Sequence, residues 1–174
     1  GGRGARGGGW RCGGGTERGR TVGRLRHNGY QACRLFIGAM YGGYCVTPLN
    51  RLAQPSQLEY VLDHSDVALV FASPDQEPRL VEALQKIGRA IQVVTCEVDA
   101  EEFLPPASEA APLARVGEED AALMMYTSGT TGKPKGGVLS HPAVVSGGEF
   151  GTDAQGRTHA DRGMAGLRRS HIDR

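Results

Sequence analysis

The chain has 174 residues, 39% of them apolar and 22% charged, with a formal net charge of +1. That is the size of one ordinary domain. Near-neutrality argues against a uniformly basic nucleic-acid binder, and no apolar run approaches the ~20 residues that a membrane helix requires.

The charge is unevenly spread. Residues 1–26 carry seven Arg and one Glu, and Gly and Arg fill 18 of those positions. Such a composition has almost nothing to bury, so residues 1–27 are predicted to be a disordered Gly/Arg-rich head. The rest is mildly acidic. The four cysteines, Cys12, Cys33, Cys45 and Cys96, show neither a Cys-x-x-Cys pair nor zinc spacing, and no metal site is expected in the chain. They are predicted to be free thiols in a reducing compartment, with Cys33, Cys45 and Cys96 as small buried groups. No signal peptide is recognisable, so a cytoplasmic location is expected, although the sequence begins with Gly rather than Met.

Order is predicted from Asn28, read as a helix N-cap, with Ala32, Leu35, Phe36, Ala39 and Met40 recurring at helical spacing up to Gly42-Gly43. Tyr44 to Thr47 is a short β-prone run stopped by Pro48. Ser56 and Glu59 have the spacing of a capping box, opening a helix with Leu58, Val61 and Leu62 inward. Val67 to Ala72 (VALVFA) is a buried strand. Pro74 and Asp75 lead into a helix with Leu80, Val81, Leu84 and Ile87 inward and Gly88 at its end. Ile91 to Cys96 (IQVVTC) is a second buried strand. A Pro-, Ala- and Glu-rich connector covers Glu97 to Asp120. Ala121 to Tyr126 (AALMMY) is a strand, Gly137 to Ser140 another, and His141 to Val145 starts a helix. Alternation of apolar strands and helices over 28–146 predicts an α/β fold, a parallel sheet with helices on both faces.

The strand at 121–126 runs into Thr127-Ser128-Gly129-Thr130-Thr131-Gly132-Lys133-Pro134-Lys135-Gly136. Pro134 apart, every residue from Thr127 to Lys135 bears a hydroxyl or is Gly or Lys. Glycines let backbone N–H groups approach anionic oxygens, hydroxyls donate further hydrogen bonds and lysines neutralise charge, so the segment is suited to a polyphosphate. A nucleoside-triphosphatase P-loop would need Gly at 127 and Ser or Thr at 134, where Thr127 and Pro134 stand, and a Gly-x-Gly-x-x-Gly fingerprint is absent. In open α/β sheets ligands bind beyond the carboxyl ends of strands, which is where this segment falls.

The run from Met124 to Val138, continuing into Ser140-His141, resembles the phosphate-binding signature of AMP-forming acyl-CoA synthetases, luciferases and peptide-synthetase adenylation domains. The resemblance extends upstream through Asn28-Gly29, Leu35 to Ala39, Thr47-Pro48-Leu49-Asn50 and Leu58 to Asp66, and within the family it is nearest to acyl-CoA synthetases. It implies part of the large N-terminal domain of an adenylate-forming ligase, which joins a carboxylic acid to ATP and passes the acyl group to coenzyme A, with Mg²⁺ on the phosphates. By match to the signature, Thr127, Ser128, Thr130 and Thr131 donate to the β- and γ-phosphates, Gly129 and Gly132 permit close backbone approach, and Lys135 is the closing cation, with Lys133 facing solvent.

The head has no counterpart in that family, as if GC-rich DNA were read out of frame. Arg6-Gly7-Gly8 and Trp10 make an RNA-associated head the rival reading, which the weak repeat disfavours. Residues 147–174 are expected to be a degenerate or poorly ordered tail, in which His171 matches a pocket histidine of the family and is otherwise an exposed polar residue. The family's adenine, ribose and Mg²⁺ elements and its C-terminal lysine have no counterpart before Arg174. The chain is therefore expected to be incomplete or inactive by itself, and a non-catalytic phosphate- or nucleotide-binding fragment is the alternative. Asp63, His64 and Asp66 are read as a solvated helix end.

Overall fold

The computed structural model describes residues 19–97, 115–127 and 133–154, with side chains up to residue 147. Six strands, β1 (Thr21–Leu25), β2 (Cys45–Pro48), β3 (Val67–Ala72), β4 (Gln92–Thr95), β5 (Ala121–Thr127) and β6 (Lys135–Ser140), form one sheet of order β4-β3-β1-β2-β5-β6. The first five are mutually parallel, and β6 runs antiparallel to β5. The helices are α1 (Tyr30–Tyr41), α2 (Pro55–His64), α3 (Glu77–Gln85) and α4 (His141–Ala154), and Pro74–Gln76 forms a 3-10 turn. This is the expected α/β class. No helix among the described residues is long and apolar enough to cross a membrane.

Two apolar layers sandwich the sheet. On one face Leu35, Phe36 and Ala39 of α1 pack with Val22, Val46, Leu69, Phe71 and Leu123, and Ala143 and Val144 of α4 lie against the same cluster. On the other, Leu58, Val61 and Leu62 of α2 and Leu80 and Ala83 of α3 pack with Leu25, Val67 and Val70. Successive residues of β3 point to opposite faces, so Leu69 and Phe71 join the first cluster and Val70 and Ala72 the second. Leu25, Leu62, Leu80 and Leu123 have no exposed surface; burying each stabilises the fold by roughly 1.5–3 kcal/mol.

The expected boundary at residue 28 falls too late. β1 lies inside the stretch read as a disordered head and sits between β3 and β2 in the interior of the sheet. Three of the head's arginines are built into this region. Arg20 faces Asp66 at 3.5 Å. Arg26, 3% exposed, donates from Nη1 to Cys96 Sγ at 3.1 Å and from Nη2 to the Glu97 carbonyl at 2.9 Å. Burial first, then the neighbouring Arg26 charge, lowers the pKa of Arg24, while Cys33 pulls it the other way. Residues 1–18 lie outside the described residues. At the other end α4 runs to Ala154, through the expected boundary at 147, and residues 155–174 lie outside the described residues.

Several local expectations change. The N-cap of α1 is Gly29, without a side-chain cap, and not Asn28. That of α2 is Gln54, whose N–H donates to Gln57 Oε1 at 3.1 Å, with Pro55 opening the helix, so the Ser56–Glu59 spacing is not the cap. Val81 is 44% exposed, because α3 turns Leu80 and Ala83 inward instead. β4 is an edge strand with Gln92 and Thr95 exposed, so it is not buried on both faces. Cys45 and Cys96 are buried as expected, whereas Cys33 is exposed on α1.

Candidate functional site

The carboxyl ends of β1, β2, β3 and β5 open on one edge of the sheet, because these strands are parallel. Strand β1 is followed by α1 on one face, and β3 by α3 on the other. Connections that diverge between adjacent strands leave a crevice at their ends. There His27 Nε2 stands 3.3 Å from Asp75 Oδ2, and Arg51 Nη1 is 2.6 Å from the same nitrogen. The Gln76 amide, bonded to Asp75 at 2.7 Å, holds that carboxyl well below the usual carboxylate range, with Ser73 and His27 helping. Arg79 reaches across to the carbonyls of Arg51 and Ala53. The sequence reading assigned His27 to the head and so missed this cluster; its members come from three segments with no shared local pattern.

The Gly/Thr signature leaves the sheet from β5 and returns as β6. Thr127 is the last residue of β5 and pairs across the hairpin with Lys135, the first of β6. Thr127 is half-buried, whereas Lys133 and Lys135 are exposed. Among the described residues neither lysine has an ion-pair partner, so both charges are available to an anion. Ser128, Gly129, Thr130, Thr131, Gly132 and His171 lie outside the described residues. The signature is therefore carried by a parallel strand and an antiparallel return, where a strand-to-helix junction would be the usual arrangement in an all-parallel sheet.

The rear of this hairpin is built by Tyr126. Its ring lies over Gly136, its cross-strand partner; a Cβ there would meet ring atoms at 3.1 and 3.2 Å. The hydroxyl is 2.8 Å from His64 Nδ1. The His64 ring meets that of Tyr126 edge-on, with centroids 5.7 Å apart, and lies 5.2 Å from that of Tyr60. Lys133 Nζ stands 5.9 Å above the Tyr60 ring, within cation–π range. Burial pushes the Tyr126 hydroxyl up to about 12, with Tyr60 and Cys45 adding and Ser65 opposing. His64 is exposed at the last position of α2, the solvated helix end expected of it, and also contacts the hairpin through Tyr126. Its neighbours Asp63 and Asp66 instead pair with Arg89, each at 3.6 Å.

No group of three or more His, Cys, Asp or Glu among the described residues is arranged to hold a metal ion. The donor set at the hairpin is hydroxyl, backbone and ammonium, which fits phosphate oxygens better than a bare cation.

Comparison with known proteins gives these features a family. A family model described as AMP-binding enzyme matches residues 11–172, so part of the head and nearly all of the tail belong to the matched region, contrary to the expectation that the head has no counterpart. Sulfoacetate–CoA ligase of Cupriavidus necator is 41% identical over 162 residues, covering 91% of this chain and 32% of that protein. Long-chain-fatty-acid–CoA ligase FadD13 of Mycobacterium tuberculosis is 34% identical over 136 residues, 76% of this chain and 27% of that one. Among solved structures, ATP-bound MatB from Rhodopseudomonas palustris superposes with a TM-score of 0.72 at 24% identity, over 87% of this chain and 31% of that one. The inhibitor-bound N-terminal domain of FACL13 from Mycobacterium tuberculosis does so with 0.71 at 26% identity, over 85% and 38%. The chain spans about a third of the length of these proteins. On the family match and the identity to these ligases, this chain belongs to the AMP-binding enzyme family.

Proposed function

We propose that the chain supplies the triphosphate-binding section of an acid–thiol ligase. In that reaction a carboxylate oxygen attacks the α-phosphorus of ATP, the bond to the bridging oxygen breaks and pyrophosphate leaves. The thiol of coenzyme A then attacks the acyl carbon of the acyl-adenylate and AMP leaves. Thr127, Ser128, Thr130 and Thr131 donate to the β- and γ-phosphates, Gly129 and Gly132 let backbone N–H groups close in, and Lys135 balances charge as pyrophosphate forms. Magnesium bound with the phosphates would supply Lewis acidity there.

The observation that carries this reading is the pairing of Thr127 with Lys135. It brings the first hydroxyl and the last cation of the signature to the two sides of one hairpin mouth, at the carboxyl end of β5. The test is calorimetric titration of the chain with magnesium-ATP and with magnesium pyrophosphate. Binding of both is expected, and no heat with either overturns the reading. ATP–pyrophosphate exchange across short and long carboxylic acids then separates turnover from binding alone. Exchange with any acid establishes turnover; binding without exchange establishes a nucleotide-binding section.

A further inference from the structure

We propose that Tyr126 and His64 form a latch that fixes the carboxyl end of β5, and that both are positioning residues for the triphosphate site. The inference rests on reading Thr127 to Lys135 as that site. It starts from an imbalance in the sheet. β5 has seven residues, yet its ladder with β2 has a single registered pair, Val46 with Leu123. Strand β2 ends at Pro48, which has no N–H with which to extend that ladder. Among the described residues, β5 from Met124 to Thr127 therefore has registered pairing on one side only, to β6. A two-stranded ribbon that projects beyond its sheet twists and frays.

What holds the other side is side-chain contact. The Tyr126 hydroxyl reaches His64 Nδ1 at 2.8 Å, and the two rings meet edge-on. His64 is the last residue of α2, whose Leu58, Val61 and Leu62 are anchored in the core. The latch thus ties a projecting strand end to a rigid helix. The same hydroxyl lies 3.4 Å from Met124 Sδ, which narrows its freedom further. On its opposite flank the Tyr126 ring presses on Gly136, so the position of β6 is set by the same side chain. Thr127 follows Tyr126 directly, and Lys135 precedes Gly136. Both ends of the signature are one residue from a latched position.

The test uses Tyr126→Phe, His64→Ala, the double variant and His64→Asn, each in the full chain. Two readouts are taken: magnesium-ATP affinity by calorimetry, and amide hydrogen exchange of Met125 to Thr127 and Lys135 to Gly137. Loss of one hydrogen bond predicts about a three- to tenfold weaker affinity and a comparable acceleration of exchange in each single variant. The double variant is expected to lose no more than either single one, and His64→Asn, which retains a hydrogen-bonding group, to recover most of the loss. Tyr126→Phe keeps the ring on Gly136, so its melting temperature reports whether the fold is intact. If the wild-type chain binds magnesium-ATP and the variants bind equally well, the latch is refuted while the phosphate reading stands. If the wild-type chain binds nothing, the phosphate reading fails, and unchanged exchange in the variants then refutes the latch as well.

Discussion

Replacing Gly23 with Ala adds one methyl group to the middle of the central strand. A Cβ built there meets Val67 Cγ2 at 3.1 Å, Val70 Cγ2 at 3.1 Å and Leu49 Cδ1 at 3.2 Å. All three distances are well inside the ~3.5–4.0 Å optimum for carbon pairs. Relief would require the neighbours to retreat, and each is held: Val67 and Val70 have no exposed surface and Leu49 has 6%. The two valines are β-branched and stiff at χ1, and both belong to β3, which is hydrogen bonded to β1 itself. Overpacking of this kind costs about 1–3 kcal/mol. Ala loses less backbone entropy than Gly on entering a strand, which offsets roughly 0.5–1 kcal/mol. The net expectation is a loss of about 1–2 kcal/mol, read as a lower urea midpoint at unchanged slope. Gly88→Ala is the control, since nothing lies within 4 Å of its Cβ position, and its stability should stay within about 0.5 kcal/mol of the parent's. A Gly23→Ala chain as stable as the parent would show that the sheet yields where the packing says it cannot.

Leu80→Ala removes a fully buried side chain between α3 and the sheet and should cost about 2–5 kcal/mol in the same titration. Asp75 has a carboxyl held low in the folded state by Gln76, Ser73 and His27, so its contribution is present above the unfolded pKa of about 4 and disappears as pH falls towards the folded value. Asp75→Asn should therefore flatten the acid limb of the stability–pH curve, modestly because the side chain is 49% exposed. The Cys45 thiol, pushed up to about 11 mainly by burial, should resist iodoacetamide at pH 8 while exposed Cys33 is alkylated, a contrast that peptide mapping reads directly. Since that pKa is raised, the stability linked to Cys45 is complete below about pH 9 and lost as pH rises towards 11. Lys135→Ala should weaken magnesium-ATP binding roughly tenfold while leaving the melting temperature near the parent's, as Lys135 is exposed.

Regular apolar patterning explains what the sequence made legible. Val67 to Ala72 could only be a strand buried on both sides, and Leu35, Phe36 and Ala39 at helical spacing located α1. Strand β1 escaped because Thr-Val-Gly-Arg-Leu contains a glycine and an arginine and follows a Gly/Arg tract. Its identity depends on pairing with β2 and β3, which no local pattern reveals. The burial of Arg26 has the same origin, since its partner Cys96 is 70 residues away. The phosphate signature was legible because its residue types are chemically unusual together. Its support was not: His64 and Tyr126 are 62 residues apart, and the antiparallel return of β6 lacks the short Asn-Gly or Asp-Gly turn that announces a hairpin.

The placement of β1 has a bearing on how this chain can be cut and how it assembles. It is the keystone: β4 and β3 lie to one side, β2, β5 and β6 to the other, and among the described residues only β1 joins them. A shortened version starting at residue 28 would therefore fall into two half-sheets, each with a bare inner rim open to foreign strands. During synthesis the keystone emerges before both of its neighbours and waits for them, because β2 begins at Cys45 and β3 at Val67. Nascent chains stalled before about residue 72 should be the ones most dependent on chaperone protection.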